Sequence, residues 1–261
     1  MPKKSHSIAK KSYGSGQPVL LLHGFAGSHQ HWNKVIINIP QDKFHIITPD
    51  SIGFGISDKP SKLNYDIDDH SIPLAKDILK DINEPIILVG HSMGAMIALR
   101  IAKLHPSKVN KLVLINPPIF RSPEHAKQVI RDNLTFFHKI YVSKLGSPIY
   151  LLRNNPLIKQ LISSSLTKDN NRSDIVDDYF NHSRRSFIRS IRNTLLTYSM
   201  YDDLEQIAVP TKYIYSHSDP LFDPKSLELI KKFPNIQAVE ISGGHEIPFV
   251  NANAVAQEIC T

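Results

Sequence analysis

The sequence predicts a doubly wound α/β fold built on a mostly parallel sheet. Six short apolar runs recur along the chain, and their apolar character is continuous rather than alternating. Continuous runs are typical of strands covered on both faces, as in a parallel sheet wrapped by helices. Helical segments separate the runs, and this β-α alternation is typical of a doubly wound fold. The predicted strands are 19–22, 44–48, 86–89, 112–115, 212–215 and 238–241, and the predicted helices are 29–38, 71–82, 94–104, 224–232 and 250–259.

Each predicted strand ends at polar or glycine-rich residues, and a site is expected at these ends. In an open parallel sheet, ligands bind beyond the carboxyl ends of the strands. A serine, an acid and a histidine occupy such ends in the order Ser92, Asp219, His245. In chain order, the six strands are followed by residues 23–28, 50–58, 92, 116–118, 216–219 and 242–245.

The third strand leads into the most informative motif, Gly-His-Ser-Met-Gly at residues 90–94. An apolar strand precedes the motif and a helical segment follows it, which indicates a very tight strand-to-helix turn. Such a turn strains its central residue and brings the neighbouring chain close, so the positions two before and two after it must be nearly free of side chain. Gly90 and Gly94 meet that requirement and leave the hydroxyl of Ser92 above the sheet. The alternative is a structural glycine-rich turn.

Residues 121–205 interrupt the alternation of strands and helices. The segment contains no convincing strand, and its amphipathic helical stretches are broken at Gly146-Ser147-Pro148, at Asn154-Asn155-Pro156 and at residues 168–171. It is far longer than a crossover between two strands requires. We therefore predict an α/β core formed by 1–120 and 206–261, with 121–205 as a helical cap over the carboxyl edge of the sheet. An independent second domain is the alternative, but nothing resembles a linker.

Composition indicates an ordinary globular protein of the cytoplasm. The chain has 261 residues, of which 41% are hydrophobic and 21% charged, as in soluble domains. No apolar stretch approaches a membrane span, and the basic N-terminus is not followed by a hydrophobic segment, so neither a membrane partner nor a secretory signal is expected. A single cysteine, Cys260, excludes an internal disulfide and suits a reducing compartment.

The net charge of +7 does not predict a nucleic-acid partner. Basic residues are dispersed among acids, with no block longer than Lys-Lys or Arg-Arg, and the aromatic residues form no stacking pattern. A solvated basic surface is the better interpretation. Nothing in the sequence indicates an oligomeric state.

With these motifs, the chain resembles the α/β-hydrolase superfamily, in its capped type that includes esterases, carbon–carbon bond hydrolases and cofactor-free haloperoxidases. The resemblance runs from about Tyr13 to the C-terminus. The chain departs from the family pattern where the first strand is short or missing before Ser12, and where Ser216 replaces a glycine. The resemblance is strong at residues 23–25, 50–58, 90–94, 209–219 and 243–245.

The resemblance implies a catalytic triad. Ser92 would be the nucleophile, His245 the base that takes its proton, and Asp219 the acceptor that holds the imidazole in the right tautomer. Asp223 is a rival for the acid, but Asp223-Pro224 is typical of a helix start, so Asp219 is preferred. Some relatives place their acid at the position of Asn116, where an amide carries no charge.

The resemblance also implies an oxyanion hole and a pocket. Family geometry assigns the oxyanion donors to the backbone amides of Phe25 and Met93, and His23 is expected to brace that loop rather than to react. The pocket is predicted to hold a small-molecule acyl substrate between aromatic side chains. These pocket residues are Phe25, Phe54, Phe136, Phe137 and Tyr141.

No cofactor or metal is expected. Gly53-Phe54-Gly55 suggests a phosphate-binding loop, but the third glycine of the dinucleotide fingerprint is replaced by Asp58. His29 and His31, with His23 nearby, suggest a metal site, but no cysteine or acid completes the set.

The predicted function is hydrolysis of a small or medium carboxylic ester, or a related acyl bond, through an acyl-enzyme. An aspartate at position 92 would have indicated epoxide or haloalkane chemistry, and a serine argues against both. Two alternatives remain open. The same triad serves other chemistry, in C–C hydrolases, lyases and perhydrolases, and some proteins of this fold are ligand-binding signalling modules with slow turnover.

Overall fold

The sheet has seven strands, and its carboxyl edge carries the candidate site. A computed structural model describes residues 6–133, 155, 156, 160 and 180–261 of the chain. The strand order is β1-β3-β2-β4-β5-β6-β7, and every neighbouring pair is parallel except β1 with β3. The predicted α/β class with a mostly parallel sheet is therefore confirmed. The strands are β1 (Lys10–Tyr13), β2 (Gln17–Leu22), β3 (Phe44–Pro49), β4 (Ile86–His91), β5 (Val109–Ile115), β6 (Thr211–Tyr215) and β7 (Ile236–Glu240).

Strand β1 is the one strand of this sheet that the apolar runs do not predict. Its sequence, Lys-Lys-Ser-Tyr, contains no apolar run because three of its four residues are exposed at the sheet edge. It pairs antiparallel with β3, with Lys10 opposite Pro49 and Tyr13 opposite Ile46. The first strand is thus present and short.

Helices cover both faces of the sheet, as the continuous apolar runs predict. Leu20 and Leu22 of β2 face one buried cluster, while Val19 and Leu21 face the other. Both clusters are apolar, which explains why the strand sequences do not alternate. The helices are α1 (Asn33–Ile36), α2 (Ile67–Leu79), α3 (Met93–Leu104), α4 (Pro123–Asn133), α5 (Arg184–Ser190), α6 (Met200–Leu204), α7 (Pro224–Ile230), α8 (Ile247–Val250) and α9 (Ala252–Cys260), with 3₁₀ turns at His29–Trp32, Pro106–Lys108 and Gly244–Glu246.

Three helix predictions differ clearly from the structure. The predicted helix 29–38 is a 3₁₀ turn at His29–Trp32 followed by α1 (Asn33–Ile36). Helix α2 begins at Ile67 rather than at 71, because the side chain of Asp66 accepts a hydrogen bond from the backbone N–H of Asp69 and caps the helix. The predicted helix 250–259 is divided into α8 and α9 at Asn251, whose φ of −127° and ψ of 48° are not helical.

Between β5 and β6, the described residues contain helices and no strand. Helix α4 follows β5, and α5 continues directly into a π-helix at Ile191–Leu195. Helix α6 then packs beside α3, where Asp203 pairs with Arg100 and Lys103. The segment predicted as a cap therefore ends in a helix that lies against the core.

Candidate active site

Ser92 lies at the tip of a tight turn between β4 and α3. Its backbone has φ 53° and ψ −120°, a sparsely populated conformation for a residue with a side chain. A Cβ atom on Gly90 would lie 2.2 Å from the carbonyl oxygen of Gly94, and one on Gly94 would lie 2.3 Å from the carbonyl oxygen of Leu22. The turn therefore admits only glycine at both positions, as the sequence predicts.

The structure brings Ser92, His245 and Asp219 into one hydrogen-bonded chain. Nε2 of His245 lies 2.9 Å from Oγ of Ser92, and Nδ1 lies 2.8 Å from Oδ2 of Asp219. A carboxylate only accepts hydrogen bonds, so Nδ1 carries the proton and Nε2 is left as an acceptor for the serine hydroxyl. The arrangement can therefore take a proton from Ser92 and stabilise the imidazolium that results.

Asp219 is buried and held in place by the backbone around it. Its side chain is 3% exposed, against 21% for that of His245. The N–H of Leu221 donates to Oδ1 at 2.8 Å, which leaves Oδ2 for the imidazole. Fixing the carboxylate in this way fixes the rotation of the histidine ring.

Asp223 lies at a helix start instead. It is the N-cap of α7, where its side chain accepts a hydrogen bond from the N–H of Lys225 and Pro224 occupies the first turn. The same carboxylate lies 3.5 Å from Nε of Arg121. The carboxylate of Asp223 therefore caps a helix and pairs with an arginine, whereas Asp219 is the acid that bonds to His245.

The loop after β2 lies against the serine turn and carries Phe25. A Cβ atom on Gly24 would lie 3.4 Å from Cβ of Ser92, so the two turns approach each other closely. Met93 opens helix α3, and N–H groups in a first helical turn have no acceptor within the helix. The predicted oxyanion donors, the amides of Phe25 and Met93, thus belong to two turns that meet beside Ser92.

His23 is buried, and both of its ring nitrogens bond to backbone. The N–H of Ser51 donates to Nε2 at 2.9 Å, so Nε2 is unprotonated and Nδ1 donates to the carbonyl oxygen of Gly24 at 2.7 Å. The ring joins the loop after β2 to the loop after β3. These bonds fit the predicted bracing role.

Two predicted pocket residues, Phe25 and Phe54, lie in an aromatic cluster. Phe54 is fully buried behind Phe25, with ring centroids 5.7 Å apart. Phe187 of α5, which was not predicted, packs on Phe25 at 4.6 Å. Its contact joins the segment after β5 to the loop of the candidate oxyanion hole. The other predicted pocket residues, Phe136, Phe137 and Tyr141, lie outside the described residues.

Two further residues, Asn116 and His91, bind the backbone of His245, and the sequence does not predict this role for either. Asn116 follows β5, and its Nδ2 donates to the carbonyl oxygens of Gly244 and His245 at 2.8 and 2.9 Å. His91 precedes Ser92, and its Nε2 donates to the same carbonyl oxygen of His245 at 2.8 Å. Burial lowers the pKa of His91 to about 4, so its imidazole is neutral near pH 7. The sequence marks Asn116 as a residue that follows a strand, but it does not indicate the partners of either side chain.

One group of side chains brings three potential metal ligands together. His31, His91 and Glu246 place ligand atoms within 4.8 Å of one another. The rings of His31 and His91 are stacked, with centroids 4.7 Å apart and planes 20° apart. Lone pairs lie in the ring planes, so those of two stacked imidazoles cannot converge on one ion unless a ring turns. The previously considered His29 instead bonds to Asp50 through Nδ1 at 2.9 Å.

Within the described ranges, no helix combines the length and the apolar character that crossing a bilayer requires.

Comparison with known proteins identifies relatives over most of the chain. A family model described as alpha/beta hydrolase fold matches residues 17–252. The chain is 27% identical over 249 residues to a pimeloyl-[acyl-carrier protein] methyl ester esterase of Legionella pneumophila (strain Corby), with 94% of each chain covered. It is 25% identical over 258 residues to Lipase 1 of Psychrobacter immobilis, which covers 91% of this chain and 74% of the lipase.

Solved structures with the same fold extend over nearly the whole chain. A bromoperoxidase from Bacillus anthracis has a TM-score of 0.77 at 21% identity and covers 98% of this chain and 95% of its own. An esterase from Exiguobacterium antarcticum has a TM-score of 0.76 at 19% identity, with 98% and 96% covered. At this level of identity the likeness shows the fold alone.

Proposed function

The chain belongs to the alpha/beta hydrolase fold family, and on this basis we propose that it is a serine hydrolase that cleaves a small or medium carboxylic ester through an acyl-enzyme. The single observation that supports this most is the chain of hydrogen bonds from Ser92 through His245 to Asp219. Lipases and esterases among the relatives support ester hydrolysis in general.

The proposed reaction starts at the hydroxyl of Ser92. Oγ attacks the ester carbonyl carbon while its proton moves to Nε2 of His245, and the carbonyl oxygen becomes an oxyanion. The amides of Phe25 and Met93 would stabilise that charge, and each such donor typically contributes about 3 kcal/mol to the transition state. When the tetrahedral species collapses, the C–O bond to the leaving alcohol breaks and His245 returns the proton to the alcohol.

Water then releases the acid. His245 takes a proton from the water as its oxygen attacks the acyl carbon, and the second collapse returns that proton to Oγ of Ser92. Asp219 stabilises the imidazolium in both halves of the reaction and stays ionised. No cofactor enters either step.

We propose that the segment 121–205 selects the substrate. The contact between Phe187 and Phe25 supports this, because it joins that segment to a residue whose backbone amide is a candidate oxyanion donor. Phe136, Phe137 and Tyr141, at the start of the segment, remain proposed pocket residues. An apolar acyl chain is the small-molecule partner that such aromatic surfaces would accept. A cytoplasmic location stays part of the proposal on the ground of the single cysteine, Cys260.

The test is hydrolysis of p-nitrophenyl esters from acetate to decanoate by the wild type and by Ser92→Ala. Turnover should fall by about four orders of magnitude or more, because no other group can form the acyl-enzyme. Ser71→Ala is the matched control, since Ser71 is also a buried serine but lies on α2 and not in the turn between β4 and α3. It should keep full activity. Activity that survives Ser92→Ala would contradict the proposal.

A further inference from the structure

The loop that carries His245 has a backbone whose own residues restrict its conformation little. Gly243 and Gly244 precede the histidine with φ values of +138° and +68°, a conformation that residues with a side chain rarely adopt. Glycine has the widest conformational freedom of any residue. Yet the side chain of His245 must keep hydrogen bonds of 2.8 and 2.9 Å on its two nitrogens at once. Something outside the loop has to fix it.

Asn116 provides three hydrogen bonds around this loop. It is 3% exposed at the end of β5. Its Nδ2 donates to the carbonyl oxygens of Gly244 and His245, and its Oδ1 accepts the N–H of Ser216 at 3.0 Å. Two partners only accept and one only donates, so the orientation of the amide is unambiguous. The side chain therefore ties the loop after β7 to the ends of β5 and β6.

His91, the last residue of β4, binds the carbonyl group of His245 as well. Its Nε2 donates to the oxygen of His245 at 2.8 Å, and its ring lies 5.0 Å from the ring of His245. The carbonyl oxygen of His245 thus receives one bond from Asn116 and one from His91. Because His91 is bonded directly to Ser92, this fixes the backbone of the proposed base against the turn of the proposed nucleophile.

We propose that Asn116 is a positioning residue for His245, and that its two donated hydrogen bonds set the distance from His245 to Ser92 and to Asp219. The inference rests on the proposed function, in which His245 is the base. An aspartate would fit the space but not the chemistry, since a carboxylate would face two carbonyl oxygens that can only accept. The amide is required for its donors.

The expected effect is on the chemical step. A displacement of about 1 Å between reacting groups can cost about a hundredfold in rate. Substrate binding uses other surfaces, so KM should change little while kcat falls. A purely structural role would instead reduce the amount of folded protein and leave kcat per folded molecule unchanged.

The experiment compares Asn116→Asp, Asn116→Gly and the matched control Asn235→Asp. Asn116→Asp keeps an acceptor for the N–H of Ser216 and loses both donors. Asn116→Gly removes the side chain and suits the backbone, which has φ +41° at this position. Asn235 also donates from Nδ2 to two carbonyl oxygens, those of Ile207 and Val209, but it precedes β7, at the amino ends of the strands and so at the opposite edge of the sheet from the site.

Kinetics are measured with one p-nitrophenyl ester at a temperature where circular dichroism shows every variant folded. Both Asn116 variants should lose about tenfold to a hundredfold in kcat with KM within about twofold, while Asn235→Asp keeps the wild-type kcat. In Asn116→Gly, the acid limb of kcat/KM should move to lower pH, because a looser contact with Asp219 stabilises the imidazolium less. Of the charged and titratable groups near that ring, Asp219 bonds to Nδ1 and the ring of His91 lies 5.0 Å away, while Glu246 is the next residue along the chain.

Wild-type kcat in either Asn116 variant, or an equal loss in Asn235→Asp, would overturn the inference. An unmoved acid limb in Asn116→Gly would do so as well. Ser92→Ala, assayed in parallel, separates this result from the proposed function: activity that survives in Ser92→Ala contradicts the function itself, whereas its loss beside an unimpaired Asn116→Asp contradicts the positioning role alone.

Discussion

Nε2 of His245 lies 2.9 Å from Oγ of Ser92, although 153 residues separate the two along the chain. Strands β5 and β6 stand between the strands that carry them, so the loop after β7 must reach back across two strand ends. It does so through bonds to both: Asn116 after β5 binds its carbonyl groups, and Oγ of Ser216 after β6 accepts the N–H of Gly244 at 3.2 Å. The contact between His245 and Ser92 therefore depends on residues at the carboxyl ends of all four strands from β4 to β7.

The roles of Asp219 and Asp223 can be separated by the same substitution at each. Asp219→Asn should lower kcat by about 10⁴-fold, because an amide at this position stabilises the wrong tautomer of His245. Asp223→Asn should leave kcat near the wild-type value, since asparagine is as good an N-cap as aspartate. Steady-state kinetics on a p-nitrophenyl ester provide the measurement. The opposite ranking would show that Asp223 holds the histidine.

Phe187 should affect the preference among acyl chains rather than the chemistry. Phe187→Ala removes the ring that packs on Phe25 at 4.6 Å, so the chain-length profile of kcat/KM should shift toward longer acyl groups. The pH dependence should stay unchanged, because His245 keeps its partners. Phe233→Ala, which truncates a partly buried ring between α7 and β7, is the control and should leave the profile as it is. If the chain-length profile of Phe187→Ala stays the same as that of the wild type, α5 does not line the acyl pocket.

His70 should make the stability of the fold depend on pH. Burial, with a smaller contribution from His23, lowers the pKa of His70 from 6.5 to about 3. Below pH 6.5 the unfolded chain takes up a proton at this residue while the folded chain does not, so stability present above pH 6.5 is lost as the pH falls toward 3. The free energy of unfolding should decrease by about 1.4 kcal/mol for each pH unit in this range on account of His70.

Urea unfolding of the wild type and His70→Gln at pH 7 and pH 5 measures that dependence. Glutamine keeps a polar partner for Oγ of Ser190, which lies 3.0 Å from Nε2 of His70, and it does not titrate. The variant should therefore be less sensitive to the change in pH than the wild type. His91 titrates in both proteins and drops out of the difference. Equal sensitivity in the two proteins would mean that His70 is protonated in the folded state.

The sequence predicts the sheet and the ends of its strands because both depend on local chemistry. Buried parallel strands are apolar throughout, and a turn that excludes every side chain at two positions requires Gly90 and Gly94. The polar residues after each strand then follow from topology, since parallel strands end at one edge. Topology therefore places Ser92, Asp219 and His245 among the strand-end residues, and the resemblance to the α/β-hydrolase superfamily assigns them their roles.

Other features depend on contacts that leave no local pattern. Strand β1 is stabilised by its pairing with β3 and not by an apolar run. Phe187 becomes a neighbour of Phe25 only when α5 packs on the core, and its own sequence is merely that of an amphipathic helix. The amide of Asn116 carries no charge that could stabilise an imidazolium, and its role as a hydrogen-bond donor becomes visible only beside the backbone of His245.

Labelling with a fluorophosphonate probe tests the central claim, that Ser92 is an activated nucleophile, most directly. The wild type is treated with the probe, digested, and the modified peptide identified by mass spectrometry. We predict one adduct, on Ser92, with labelling abolished in Ser92→Ala and strongly slowed in His245→Ala, because the hydroxyl reacts only when a base takes its proton. Labelling at another residue, or labelling of Ser92 at the wild-type rate without His245, would contradict it.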